Sequence, residues 1–180
     1  FVTEKFGLNG KADVFGFSRG GLYAVNYALK YPNDVSTLYL DAPVLNLWSW
    51  PAGLGDGEGD ASCWNAVKAM YGVDEKTVKT HTGNPILHTG ELISTGIHVI
   101  LVAGDSDKTV PYSENGAILK KAYDDEGASA NIKVIIKKGC DHHPHSLEDP
   151  TEIVNFVKAN KSGFESGTDG NADAYSVANT

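Results

Sequence analysis

A short apolar run, Ala12-Asp13-Val14-Phe15, leads into Gly16-Phe17-Ser18-Arg19-Gly20, and a segment with helical spacing begins at once. No other stretch restricts the fold so much. The chain must leave a strand, turn sharply at one serine and enter a helix. Strand, serine turn and helix together make G-x-S-x-G a nucleophile elbow, which lifts the hydroxyl clear of the backbone. A turn that tight brings the backbone on either side of Ser18 close together. A side chain at position 16 or 20 is therefore expected to collide there.

The rest of the chain repeats the alternation. Leu22, Val25, Ala28 and Leu29 recur at spacings of three and four, which predicts a helix over 19–31, stopped by Pro32. Residues 12–17 read as a buried parallel strand. Further strands are predicted at 35–40, 97–103 and 132–136. Helices are predicted near 61–71, 114–124 and 148–160, the last with Ile153, Phe156 and Val157 on one face. Strands alternating with helices imply an α/β fold, a mostly parallel sheet flanked by helices.

With 180 residues, one domain over 1–160 is expected. Residues 44–96 are too long for a plain crossover. They hold Trp48, Trp50 and Trp64 and a stretch rich in glycine and acids from Pro51 to Asp60. They read as a small cap insertion whose Trp48 and Trp50 either contact substrate or pack the insertion on the body. Residues 161–180, rich in Gly, Ser, Asn, Asp and Ala, read as a flexible tail or linker.

Charge narrows the partners. The formal net charge is −8 and no Lys/Arg cluster offsets the acids, which disfavours nucleic acid and anionic membrane surfaces. No apolar run approaches the roughly 20 residues of a membrane span. Two cysteines, Cys63 and Cys140, are too few for a disulfide scaffold and leave one bridge open. The sequence carries no signal for oligomeric state.

Two loops can serve Ser18. One follows the 97–103 strand and carries Asp105 and Asp107. The other follows 132–136 and reads Gly139-Cys140-Asp141-His142-His143-Pro144-His145. A serine hydroxyl is a poor nucleophile at neutral pH and needs a base within hydrogen-bond reach, a task suited to histidine. A carboxylate behind that histidine fixes its tautomer and stabilises the imidazolium. The residues alone leave Asp105, and more remotely Asp41, as rivals for the acid, and His143 and His145 as rivals for the base. His81, His88 and His98 read as structural or solvent-facing.

Other chemistries fit less well. Asp141, His142, His143 and His145 suggest a metal site, but adjacent histidines in a loop seldom converge on one ion, so no metal is expected. The run Gly16-x-Ser18-x-Gly20-Gly21, with Asp41 ending the next strand, mimics a dinucleotide-binding fingerprint of an oxidoreductase. There Ser18 occupies the place of a glycine that must admit a pyrophosphate, and the two later loops have no role. A cysteine hydrolase is disfavoured because the elbow carries serine.

Serine, then acid, then histidine is a chain order that resembles the α/β-hydrolase superfamily, and within it the bacterial serine esterases. Residues 104–111 match that family's G-x-x-D-x-x-V-P pattern with Asp107 as the acid, and His142 matches its histidine. The resemblance implies Ser18 as nucleophile, Asp107 as orienting acid and His142 as general acid–base. It also implies the Arg19 backbone N–H as one oxyanion donor, and a carboxylic ester hydrolase that needs no cofactor. Activity is then expected to fall on acidification as His142 takes up a proton.

In the family the elbow follows the fifth strand, and a second oxyanion donor comes from a loop after the third. A chain starting at Phe1 with its elbow at residue 18 is thus expected to be the C-terminal part of the fold, from a fragment, a processed chain or a longer protein. The stretch 49–53, Ser-Trp-Pro-Ala-Gly, and the His-His-Pro-His run are similar to a subgroup found beside carbohydrate-degrading enzymes. Small acyl or carbohydrate-linked esters are what this implies, while the compartment, whether soluble inside the cell, secreted or periplasmic, stays open. A catalytically impaired binding domain is the third alternative.

Overall fold

The computed structural model describes residues 2–161. After a short helix α1 (Val2–Phe6), the chain runs β1 (Ala12–Phe17), α2 (Arg19–Lys30), β2 (Val35–Asp41), α3 (Ala61–Tyr71), α4 (Thr89–Ser94) and β3 (His98–Gly104). It ends with α5 (Gly116–Asp125), β4 (Ile132–Lys137) and α6 (Thr151–Asn160). The four strands form one parallel sheet in the order β1-β2-β3-β4. Successive strands are neighbours, so every elbow and loop that follows a strand opens at the same end of the sheet.

Alternation along each strand sorts side chains between two layers. Leu38 and Leu40 of β2 and Val99, Leu101 and Ala103 of β3 meet Ala24, Val25 and Ala28 of α2, Leu92 of α4, and Leu119 and Tyr123 of α5. The opposite face, with Tyr39, Ile100 and Val102, is covered by Ile153 of α6, with Phe156 packed against it. Strands buried on both faces become continuous apolar runs, as β3 does at 99–103. Helix ends follow local chemistry. Asp60 caps α3 by accepting from the Cys63 N–H at 2.6 Å, and Gly72 closes it in the left-handed region at φ 65°.

One strand differs from expectation. β1 is not buried: Phe15 and Phe17 are 54% and 41% exposed. It pairs with β2 alone among the described strands, and α6 reaches β2 and β3. An apolar strand on a sheet edge keeps one flank of its aromatics open.

The long 44–96 segment is anchored through side chains. Asn115 Oδ1 accepts from the N–H groups of Leu45 (2.9 Å) and Asn46 (3.1 Å), Asn84 Oδ1 from Leu47 N–H (2.7 Å), and Glu114 from Ser49 Oγ (2.6 Å) and Asp56 N–H (2.8 Å). Leu45 and Leu92 join the main core, while Trp64, Val73 and Val78 form a second cluster with Leu22 and Leu47. The tail expected over 161–180 lies, past Lys161, outside the described residues.

Candidate active site

Ser18 sits between β1 and α2 at φ 50° and ψ −118°, a conformation that costs on the order of 1–3 kcal/mol for a residue with a side chain. Neighbouring backbone holds it there. Its N–H donates to Asp41 O at 2.9 Å, and its carbonyl accepts from Gly21 and Val44 N–H, each at 2.9 Å. Gly16 is required as expected, since a Cβ there would lie 2.7 Å from Gly20 O and 2.9 Å from the Ala24 Cβ. Gly20 is not: a Cβ there would meet nothing within 4 Å. The second tight position is Gly21, whose Cβ would enter Pro43. The first turn of α2 thus presses on the segment that follows β2.

The loops after β3 and β4 deliver the partners. His142 Nε2 lies 2.9 Å from Ser18 Oγ, and its Nδ1 lies 2.8 Å from Asp107 Oδ2. With the carboxylate behind it, Nδ1 carries the proton and Nε2 accepts from the serine hydroxyl. The other Asp107 oxygen accepts from Thr109 N–H (2.9 Å) and Val110 N–H (2.8 Å), so its carboxylate cannot swing away freely. Both partners are buried, which strengthens their interaction by lowering the local dielectric.

Asp105, the rival acid, does a different job. Its Oδ1 accepts from Gly139 N–H at 2.7 Å, and Ser106 N–H donates to Cys140 O at 3.0 Å. Asp141 adds a third tie, accepting from Lys108 N–H (3.1 Å) and His142 N–H (2.7 Å). The N–H groups of His142, then Lys108, hold its carboxyl below the ordinary aspartate value. Gly104 permits this seam, because a Cβ there would run into the carbonyls of Cys140 and Asp141. The acid loop and the histidine loop are thus sewn together, and the Asp107–His142 contact follows.

His143 and His145 do not reach Ser18. His145 Nδ1 instead pairs with Asp41 Oδ1 at 3.1 Å. Asp41 is fully buried and also accepts from Tyr39 Oη and Ser146 N–H, each at 2.5 Å. Burial, then this bond to Asp41, pushes the Tyr39 phenol well above the ordinary tyrosine value. So engaged, Asp41 has no lone pair facing solvent for a ribose, which removes the acid that the dinucleotide alternative requires. Contrary to the expectation for loop neighbours, His142, His143 and His145 do converge: one ligand nitrogen from each lies within 4.8 Å of the others. No sequence signal marked Asp41 and His145 as a pair, because their contact joins residues 104 positions apart.

Arg19 is the first residue of α2, so its N–H belongs to the unpaired first turn at the positive end of the helix. Beside it opens a cavity of about 120 Å³ lined largely by apolar groups, among them Leu22, Val44, Leu47, Trp50 and Met70. Trp50 thus stands at the cavity. Trp48 packs against the second cluster, with Lys79 Nζ 4.5 Å from its ring centre. Cys63, also lining the cavity, and Cys140 are free thiols. Burial, then Asp60, pushes the Cys63 thiol up.

A family model described as "Putative esterase" matches residues 1–156. The chain belongs to this esterase family. Its fold is that of the α/β-hydrolases, as solved structures also indicate. The acylaminoacyl peptidase of Pyrococcus horikoshii superposes with a TM-score of 0.68 at 15% identity, over 94% of this chain and 27% of that one. A puromycin hydrolase gives 0.61 at 17% identity, over 88% and 22%. A ferulic acid esterase gives 0.52 at 12% identity, over 79% and 49%. The esterase-family chain therefore spans about a quarter of the first two proteins and half of the third. A search of curated proteins found no match. No described helix is long and apolar enough to cross a membrane.

Proposed function

We propose that this chain carries the reaction centre of a carboxylic ester hydrolase working through an acyl-serine intermediate. The observation that carries the reading is the unbroken relay from Asp107 Oδ2 through His142 to Ser18 Oγ, with contacts of 2.8 and 2.9 Å.

In the first half, Ser18 Oγ attacks the ester carbonyl carbon while His142 Nε2 takes the hydroxyl proton. Asp107 stabilises the imidazolium. The carbonyl oxygen becomes an alkoxide, and the Arg19 N–H with the α2 dipole behind it stabilises the charge. Collapse breaks the C–O bond to the alcohol, which leaves with the proton from His142. In the second half, water gives a proton to His142 and attacks the acyl carbon, and Ser18 leaves with its proton restored. No metal or cofactor takes part in this scheme.

The cavity beside Arg19 supports a small acyl group. At about 120 Å³ it is smaller than the ~150 Å³ cavity that accommodates benzene, and its lining is mostly apolar. Trp50 forms part of that wall, and Trp48 acts only through the packing behind it. An acetyl or similarly short ester, on a carbohydrate or another alcohol, fits this reading.

The test is intact mass before and after a fluorophosphonate reagent, with peptide mapping. One adduct on Ser18 is the expected outcome. A folded protein that takes none is a binding domain or a different enzyme, and the reading fails. With p-nitrophenyl esters, kcat/KM should drop steeply as the acyl chain outgrows the cavity.

A further inference from the structure

The histidine loop carries more imidazole than the hydrolytic scheme uses. We propose that His142, His143 and His145 form a binding site for a borderline divalent cation, Zn²⁺ in the first place, and that its occupation silences Ser18. Cation binding stands on the histidine geometry alone, while the silencing rests on the hydrolase reading above.

Three observations carry the site. The first is convergence: one ligand nitrogen from each ring lies within 4.8 Å of the other two. Three imidazoles on a tetrahedral zinc at ~2.1 Å stand on the order of 3.4 Å apart. The remaining approach falls to His143, whose side chain is exposed. The second is what stands behind the rings. Metal-bound histidines characteristically give their other ring N–H to a carboxylate, which fixes the tautomer and raises ligand basicity. Here Asp107 does so for His142 at 2.8 Å and Asp41 for His145 at 3.1 Å, and both acids are buried. Each pairing leaves Nε2 as the ligating atom. The third is access, since His143 is exposed and His145 half-buried, which opens a path from solvent. The net charge of −8 favours cations nearby, although the Lys137 ammonium, bonded to Pro144 O, opposes them locally.

The consequence for Ser18 follows from electron pairs. His142 Nε2 has one lone pair, and it now accepts from Ser18 Oγ. A cation on that nitrogen takes the pair, so the serine proton has no base. Water fills the fourth metal position, and no bond within the protein is made or broken covalently. Chelation restores the base.

The experiment is calorimetric titration of the tag-free full chain with Zn²⁺, alongside Co²⁺ absorption to report tetrahedral nitrogen ligation. One equivalent should bind. H143Q should weaken binding more than a distant H98Q does, and H145Q likewise. D41N should weaken it by about 10–100-fold through the lost outer carboxylate. S18A should bind at least as tightly as the natural chain, because the serine competes for His142. Fluorophosphonate labelling of the natural chain should stop with zinc and return with chelator. Absence of one-to-one binding, or equal binding by H143Q, overturns the site. H143Q changes an exposed side chain, so the outcome does not depend on H145Q or D41N folding. If zinc binds through the histidines but Ser18 never reacts with fluorophosphonate, the site stands and the hydrolase reading falls. If Ser18 reacts and zinc does not slow it, the silencing falls.

Discussion

Two aspartate–histidine pairs lie side by side at the same end of the sheet, and they use their acids differently. Asp107 has one oxygen pinned by two N–H groups of its own loop and the other on His142. Asp41 gives one oxygen to Tyr39 and Ser146, and the other to His145. Both carboxylates are nearly inaccessible, at 1% and 0% side-chain exposure. Burial and a carboxylate partner therefore do not distinguish them. What does is what each ring meets next. His142 meets the strained Ser18, while the His145 ring packs near Phe17 with centres 5.6 Å apart. One pair reaches the serine of the elbow, and the other ties the end of β2 to the histidine loop.

The largest test of that difference is H142A against H145A. Removing His142 should cost on the order of 10⁶ in kcat, as for loss of a general base acting with its serine. Removing His145 should cost a small fraction of that. Steady-state kinetics with a short ester decides it, and equal losses would make the pairs equivalent.

Next in size are the acids. D107N should lower kcat by ~10⁴, because the amide favours the wrong imidazole tautomer. D41N should lower kcat far less while costing stability. An amide oxygen cannot accept everything the carboxylate does, and a buried donor left unpaired costs about 1–3 kcal/mol. Urea unfolding beside the kinetic assay reads both, and a kinetic collapse in D41N at full stability would break the distinction.

The elbow yields a smaller contrast. G21A should destabilise by ~1–3 kcal/mol through overpacking on Pro43. G20A meets open space and should be neutral or stabilising by about 0.5–1 kcal/mol. Denaturant midpoints check this, and a loss in G20A as large as that in G21A would restore the expected collision at position 20.

The smallest effect concerns pH. The Tyr39 phenol is raised in the folded state by burial and by Asp41, so its contribution to stability is complete below the ordinary value of 10.0. It is lost as pH rises beyond that toward the folded value. Phenolate absorbance should therefore show Tyr39 ionising late, alongside the half-buried Tyr112 and the buried Tyr123, together with alkaline unfolding, and Y39F should remove one group from that late phase. A Tyr39 that ionises with the exposed tyrosines would mean that Asp41 is not held as described.

The strand boundaries and the serine turn were legible because they rest on neighbours in sequence. The helix predicted over 61–71 matches α3 in full, where Asp60 and Gly72 mark its ends. The exposure of β1 among the described residues was not legible. Phe15 and Phe17 look the same in sequence whether or not another layer covers them. Nor were Asn84, Glu114 and Asn115, whose side chains hold the 44–50 segment across long sequence separations. Polar residues in turns carry no mark of what they will face.

Alone, the sequence determined the α/β alternation, the elbow at Ser18 and the two loops that serve it, since each depends on hydrophobic period or on glycine at a tight turn. Only the tertiary structure brings Asp107 rather than Asp105, two residues away, onto a histidine, and His142 rather than its neighbours onto Ser18. Gly139 N–H takes the Asp105 carboxylate, Asp41 takes His145, and Asp107 and His142 are left to face each other and Ser18. Those choices depend on loops from different strands meeting at the end of one sheet. No local pattern encodes that meeting.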